Sequence, residues 1–143
     1  MAEYQPKDQE FAERVRESFA RQKVMQLFGA SLSRVEAGAV DIDLTFREDM
    51  TQQNGFLHAG VVTAIADSAC GYAAFTLMPA GAEVLSVEFK VNLLRPAAGE
   101  RFTAQATVLK AGRKLTVTRA DVFAHTGARS VLVATMLATM IRR

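Results

Sequence analysis

The 143-residue chain holds one cysteine, Cys70, and two histidines, His58 and His125. A single thiol excludes an internal disulfide framework, and two imidazoles cannot form a cluster at zinc-ligand spacing. Cys70 stands among apolar residues, where an unactivated thiol is core, so a Cys70–His58 dyad is a poor candidate. The stretch MAEYQPKDQEFAERVRESFARQKVMQLFG alternates acids and bases and lacks the apolar segment and small-residue cleavage site of a secretory signal. G-x-S-x-G, P-loop, G-x-G-x-x-G and H-E-x-x-H patterns are absent, as are internal repeats, low-complexity tracts and linkers. These absences predict one metal-free domain over residues 1–143, in the cytoplasm and without a bound cofactor.

What is present fits an ordinary globular domain: half of the residues are apolar and 22% are charged. Such a chain is long enough to bury a core. The net charge of +2 is unevenly spread, being 0 over residues 1–28, −5 over 29–83 and +7 over 84–143. The basic carboxy-terminal part suits a phosphate-bearing partner. A nucleic acid is a poor choice, because neither a recognition helix nor an aromatic-basic surface accompanies the charge.

Phe11, Val15, Phe19, Met25 and Phe28 recur at helical spacing, which predicts an amphipathic helix over residues 8–28, stopped by Gly29. SLSRVEAGAVDIDLTF then reads as a hairpin turning at Ala37 and Gly38, with Val40, Ile42, Leu44 and Phe46 on one face. Residues 59–78 predict a second helix, apolar on nearly all faces, which must be wrapped by other structure. That run is long enough for a membrane span, but it is Ala-rich and carries Thr63, Asp67 and Ser68, so it reads as a buried helix of a soluble protein. Four strands follow. VLSVEFKVNLL places Val87, Phe89, Val91 and Leu93 on one face and Ser86, Glu88, Lys90 and Asn92 on the other. RFTAQATVLKAGRKLTVTRADVFA turns at AGRK, and ARSVLVATMLATMI is apolar on both faces, as an interior strand would be. His125, beside the turn HTGAR, reads as a surface residue, and Met136 and Met140 as core filler. The economical packing is an antiparallel sheet wrapped around the central helix.

Two features of the central helix point to chemistry. Its start at His58, Ala59 and Gly60 exposes unpaired backbone N–H groups at the positive end of the helix dipole, a seat for an oxyanion. Its middle carries Asp67 among Ile65, Ala66, Ala69 and Cys70, a carboxylate that needs partners or a purpose. Satisfaction by Ser68 or Tyr72 would make it structural; as a base it could activate water, and as a nucleophile it could form an anhydride. At about 1.5 Å of rise per residue, His58 and Asp67 stand roughly 13 Å apart. One carbonyl cannot reach both in one chain, so a site that uses both must combine two chains.

NGFLHAG, Asp67 nine residues after His58, and LSVEFKVNLLRPA resemble, over residues 40–140, the hotdog-fold thioesterases of the phenylacetate-degradation (PaaI-like) branch. The resemblance implies an α+β hotdog fold, an antiparallel sheet around a long central helix, here with an additional N-terminal helix (1–28) before the hotdog core (29–143). It implies homodimers whose sheets join, homotetramers made of two such dimers, and sites between subunits that hydrolyse an acyl-CoA thioester. Asp67 takes the place of the catalytic carboxylate, the Ala59 N–H that of the carbonyl-polarising amide, His58 that of the residue ordering the helix start, and Ser86 that of a hydroxyl holding water. The pattern departs in two places: His-Gly-Gly is His-Ala-Gly here, tolerable because the working atom is a backbone amide, and the usual asparagine is replaced by Gln52, with Gln53 and Asn54 close by. Gly60 admits the substrate, and Arg95, Arg113 and Lys114 are candidate contacts for its coenzyme A part. Two rival readings stay open: a hotdog dehydratase with His58 as base, and a non-catalytic acyl-CoA binder in which Asp67 is structural.

Overall fold

The computed structural model describes residues 3–143. Its elements run in the order α1 (Phe11–Arg21), α2 (Lys23–Phe28), β1 (Ser31–Glu36), β2 (Ala39–Thr45), a short 3-10 turn (Glu48–Met50), α3 (Ala59–Phe75), β3 (Val84–Leu93), β4 (Arg101–Ala111), β5 (Leu115–Thr126) and β6 (Arg129–Arg142). The six strands form one sheet in the order β1-β2-β4-β5-β6-β3, antiparallel at every pairing. The sheet packs against α3 through strands β2 to β6, the hotdog arrangement.

Small residues let helix and sheet approach closely. Ile65, Ala66, Ala69, Cys70 and Ala73 of α3 are fully buried against Val40, Ile42, Ala104, Ala106, Ala120 and Ala138. Alanine on both surfaces leaves no room for larger side chains, and forcing extra methylenes into such a core costs about 1–3 kcal/mol. Burial pushes the Cys70 thiol up to about 12, which keeps it protonated and inert.

The amino-terminal helix is broken, where a continuous helix over 8–28 was expected. At Gln22 the chain turns extended, with ψ 103°, and α2 starts afresh at Lys23. The break lets the Gln22 side chain reach α3, where it accepts from Ser68 Oγ at 2.8 Å and donates to Tyr72 Oη at 3.1 Å. Gly29 ends α2 in the left-handed region at φ 69°, as its position foretold. Val15 and Met25 join the same buried cluster as α3.

Arg14 ties α1 to the far end of α3. Its guanidinium donates to the carbonyls of Phe75, Met78 and Pro79 at 3.2, 2.9 and 2.6 Å and stacks 4.4 Å over the Phe75 ring. The Phe75 carbonyl is one of the orphans that a helix leaves at its end, and those of Met78 and Pro79 belong to the turn that follows. The helix closes at Phe75, three residues before the predicted Met78, where the buried Thr76 hydroxyl donates to the Ala73 carbonyl and accepts from the Gly38 N–H. Among the described residues no helix is long and apolar enough to cross a membrane.

β6 is interior, between β5 and β3, as its two apolar faces suggested, although Leu137 on the convex side stays exposed. β3 is an edge strand, and Leu85, Val87, Phe89 and Leu93 remain 48, 53, 43 and 54% exposed. His125 is partly exposed, and its ring is bonded at both nitrogens, to Thr103 Oγ1 at 2.9 Å and Ser130 Oγ at 2.7 Å; burial and then Arg101 hold it below the ordinary imidazole value.

Candidate active site

The loop before α3 is built to present the helix start. Gln52 Oε1 accepts from the Asn54 and Phe56 amides at 2.6 and 3.3 Å, and Gly55 takes φ 85°, which only glycine adopts without strain. The Leu57 N–H donates to the Ala97 carbonyl and the His58 N–H to the Met50 carbonyl, fixing the entry of the chain. His58 is the N-cap, extended at φ −60° and ψ 138°, and its Nδ1 accepts the Gly60 N–H at 2.8 Å. A Cβ on Gly60 would lie 3.0 Å from that nitrogen, so the bare backbone suits the cap.

The Val61 and Val62 amides return to the His58 carbonyl, while no acceptor among the described residues takes the Ala59 N–H. That donor opens into a cavity of about 430 Å³ shared by Gln52, Phe56, Leu57, Val62, Leu93 and Arg95. Gln53 and Asn54 do not line it, so Gln52 is the amide side chain of the three that stands beside Ala59. Arg95 is held there by donating to the Leu132 carbonyl at 2.9 Å.

Asp67 opens into a different cavity of about 460 Å³. Ile65, Ala66, Ala69 and Cys70 face the core as expected, but Asp67, Ser68 and Gly71 form a flank of α3 that the sheet leaves uncovered. Neither Ser68 nor Tyr72 satisfies the carboxylate, because both hydroxyls are engaged by the α1 end. Ser86 Oγ does, donating to Asp67 Oδ1 at 2.6 Å.

Strict alternation put Ser86 on the face away from Phe89 and Val91, and the structure corrects this. Ser86 pairs with Met140 but Glu88 pairs with Thr139, so Val87 is one extra residue, a β-bulge. The bulge inverts the alternation and turns Ser86 onto the helix face, beside Met140 and Asp67.

The site residues anticipated from the sequence thus fall into separate groups. Asp67 and Ser86 share one cleft; Gln52, Ala59 and Arg95 share another, which His58 and Gly60, the chain neighbours of Ala59, do not line. Eight residues of helix separate Ala59 from Asp67, about 12 Å of rise. Arg113 and Lys114 line a third cavity of about 270 Å³ with Ala74 and Met78 at the far end of α3. That is about 22 Å along the helix from Ala59, so within one chain they cannot share a phosphate group with Arg95. Ser18, Arg21 and Gln22 line the Asp67 cleft with Tyr72 and were not anticipated; the helical period marks them as polar flank positions, and only the docking of α1 on α3 shows what they face.

Comparison with known proteins agrees with this architecture. The thioesterase superfamily profile matches residues 54–131, the span from the helix-start loop into β6. The chain belongs to the thioesterase superfamily. With that membership goes the class of reaction, hydrolysis of a thioester. A thioesterase family protein from Silicibacter pomeroyi superposes with a TM-score of 0.91 at 50% identity, over 92% of this chain and 97% of that one. The PaaI protein of the Escherichia coli phenylacetic acid degradation operon superposes at 0.84 with 19% identity over 94% of each chain, a likeness of fold. A Saccharolobus solfataricus protein named provisionally as an esterase is 31% identical over 127 residues, 89% of this chain and 82% of its own length.

Proposed function

We propose that this thioesterase hydrolyses acyl-CoA in a site completed by two subunits, Asp67 and Ser86 coming from one and Ala59, Gln52 and His58 from the other. The observation that carries the proposal is the placement of the carboxylate and the open Ala59 N–H in two clefts about 12 Å apart along one helix. Each cleft holds half of what hydrolysis needs. The exposed apolar edge β3 supports a homodimer, since an unpaired edge of this kind is a template for a second strand, and joining two copies would bury Leu85, Val87, Phe89 and Leu93. Two such dimers form the homotetramer in this reading.

In the composite site the substrate carbonyl oxygen accepts the Ala59 N–H, whose alignment with the helix dipole favours the negative charge that develops there. Asp67 takes a proton from water as the hydroxide oxygen bonds to the carbonyl carbon, and Ser86 holds the carboxylate on the side where water approaches. Collapse of the tetrahedral intermediate breaks the carbon–sulfur bond and releases coenzyme A as thiolate with the free acid. Arg95, in the Ala59 cleft, is the cation best placed for the coenzyme A phosphates. No metal or cofactor enters any step. The dehydratase alternative needs His58 as base, yet its Nδ1 is occupied by the Gly60 N–H, leaving the proton of the neutral ring on Nε2. Thiol release from a panel of acyl-CoAs tests the proposal: Asp67→Asn should lower kcat about 100-fold or more with the fold intact, and near-normal turnover would sink the role of Asp67.

A further inference from the structure

The Asp67 cleft has a second wall that the hydrolytic steps leave unused. Ser18, Arg21 and Gln22, from the end of α1 and the break after it, face Asp67, Gly71 and Tyr72. Hydrogen bonds link the polar groups of this wall. Ser68 donates to Gln22 Oε1, Gln22 Nε2 donates to Tyr72 Oη, and Tyr72 Oη stands 3.2 Å from Ser18 Oγ. Either hydroxyl can donate across that last contact, and Ser18 Oγ meets no other partner among the described residues.

Arg21 adds a cation. Exposed to solvent, it lines the same cleft as Asp67 without pairing with it; Asp67 is held by Ser86, and the guanidinium of Arg21 meets no partner among the described residues. Gly71, one turn beyond Asp67, lines the same cleft. A Cβ there would meet nothing within 4 Å, and its backbone is ordinary helix, so glycine is required by neither packing nor φ. A mid-helix glycine costs about 1 kcal/mol relative to alanine; what it leaves is empty space above the helix.

We infer that Ser18 and Arg21 bind a second, anionic oxygen group of the thioester substrate, seated over Gly71. It is either a carboxylate at the far end of the acyl chain or a phosphate of the thiol carrier. Guanidinium suits both, because its planar fork donates two parallel hydrogen bonds to either oxyanion. This inference rests on the assignment of the Asp67 cleft to thioester hydrolysis.

Four substrates separate the two sources: glutaryl and pentanoyl thioesters, each on coenzyme A and on N-acetylcysteamine, which lacks the phosphates. The glutaryl carboxylate lies about one helical turn, roughly 5 Å, from the thioester carbon, the offset between Asp67 and Gly71. If the acyl carboxylate is the ligand, Arg21→Gln lowers the glutaryl-to-pentanoyl ratio of kcat/KM about tenfold or more on both carriers, the loss expected for a charged hydrogen bond. If a phosphate is the ligand, the coenzyme A-to-N-acetylcysteamine ratio falls by that factor for both acyl groups. Both ratios unchanged within about twofold would overturn the inference, as would an equal loss on all four substrates. Should the unaltered protein hydrolyse none of the four and no acyl-CoA of the wider panel, the hydrolytic assignment itself fails. Calorimetric titration of the same compounds into the unaltered protein and Arg21→Gln then decides the anion wall alone, and equal or undetectable affinities would end it.

Discussion

Ala59→Pro removes the proposed oxyanion donor while sparing the helix. Ala59 is the first helical residue, where proline is favoured because its absent N–H has no intrahelical partner. The preceding residue must be extended, and His58 already has φ −60° and ψ 138°. The variant should therefore fold and melt close to the parent. Its kcat should fall about 100- to 1000-fold, the usual cost of deleting one oxyanion donor, or about 2.7–4 kcal/mol of barrier.

Mixing Ala59→Pro with Asp67→Asn then asks which chain supplies which group. In a heterodimer one site brings the two substitutions together and is dead, while the other joins the intact Ala59 of one chain to the intact Asp67 of its partner. Random exchange makes about half of all dimers mixed, and half of the sites in those are intact, so activity should recover to about a quarter of the parent. The assay is thiol release after the two variants have been unfolded together and refolded, with each variant refolded alone as control. If both groups act within one chain, every chain in the mixture carries one lesion and the activity stays at the level of the two variants. A mixture that forms heterodimers, seen by native mass spectrometry, yet stays inactive would refute the two-chain site.

Ser86→Ala should lower kcat about tenfold or more by deleting the 2.6 Å hydrogen bond to Asp67, with little change in melting temperature because Ser86 is exposed; unchanged turnover would show that the bulge at Val87 has no catalytic consequence. Arg14→Ala should destabilise the fold by about 2–3 kcal/mol, read by denaturant unfolding, since it removes the guanidinium donors to the Phe75, Met78 and Pro79 carbonyls. Stability should also depend on His125. Its folded value lies below the ordinary 6.5, so the unfolded chain binds the extra proton between those two values. The stabilisation is fully present above about pH 6.5 and is lost as the pH falls from there through the lower folded value, and His125→Gln should flatten that segment of the stability–pH curve.

Much of this molecule was determined by local chemistry that sequence carries openly. The period of two in Val40, Ile42 and Leu44 gave the buried face of β2, and the Ala-rich run after His58 could only be a helix needing cover on several sides. The rise per residue then set Ala59 and Asp67 too far apart for one carbonyl, whatever the fold around them. Three features were decided only when distant segments met. The bulge at Val87 is one residue of register between β3 and β6, so it depends on how two strands pair and leaves no mark on the hydrophobic pattern, yet it alone brings Ser86 to Asp67. The break at Gln22 exists because its amide finds Ser68 and Tyr72, partners 46 and 50 residues away. Arg95 and the pair Arg113 and Lys114 look alike as cations of one basic segment, but they end in different cavities because β3 and the β4–β5 hairpin meet α3 at opposite ends. Periodicity and helical rise are properties of neighbours along the chain, whereas register, docking and the company a charge keeps are properties of contacts across it.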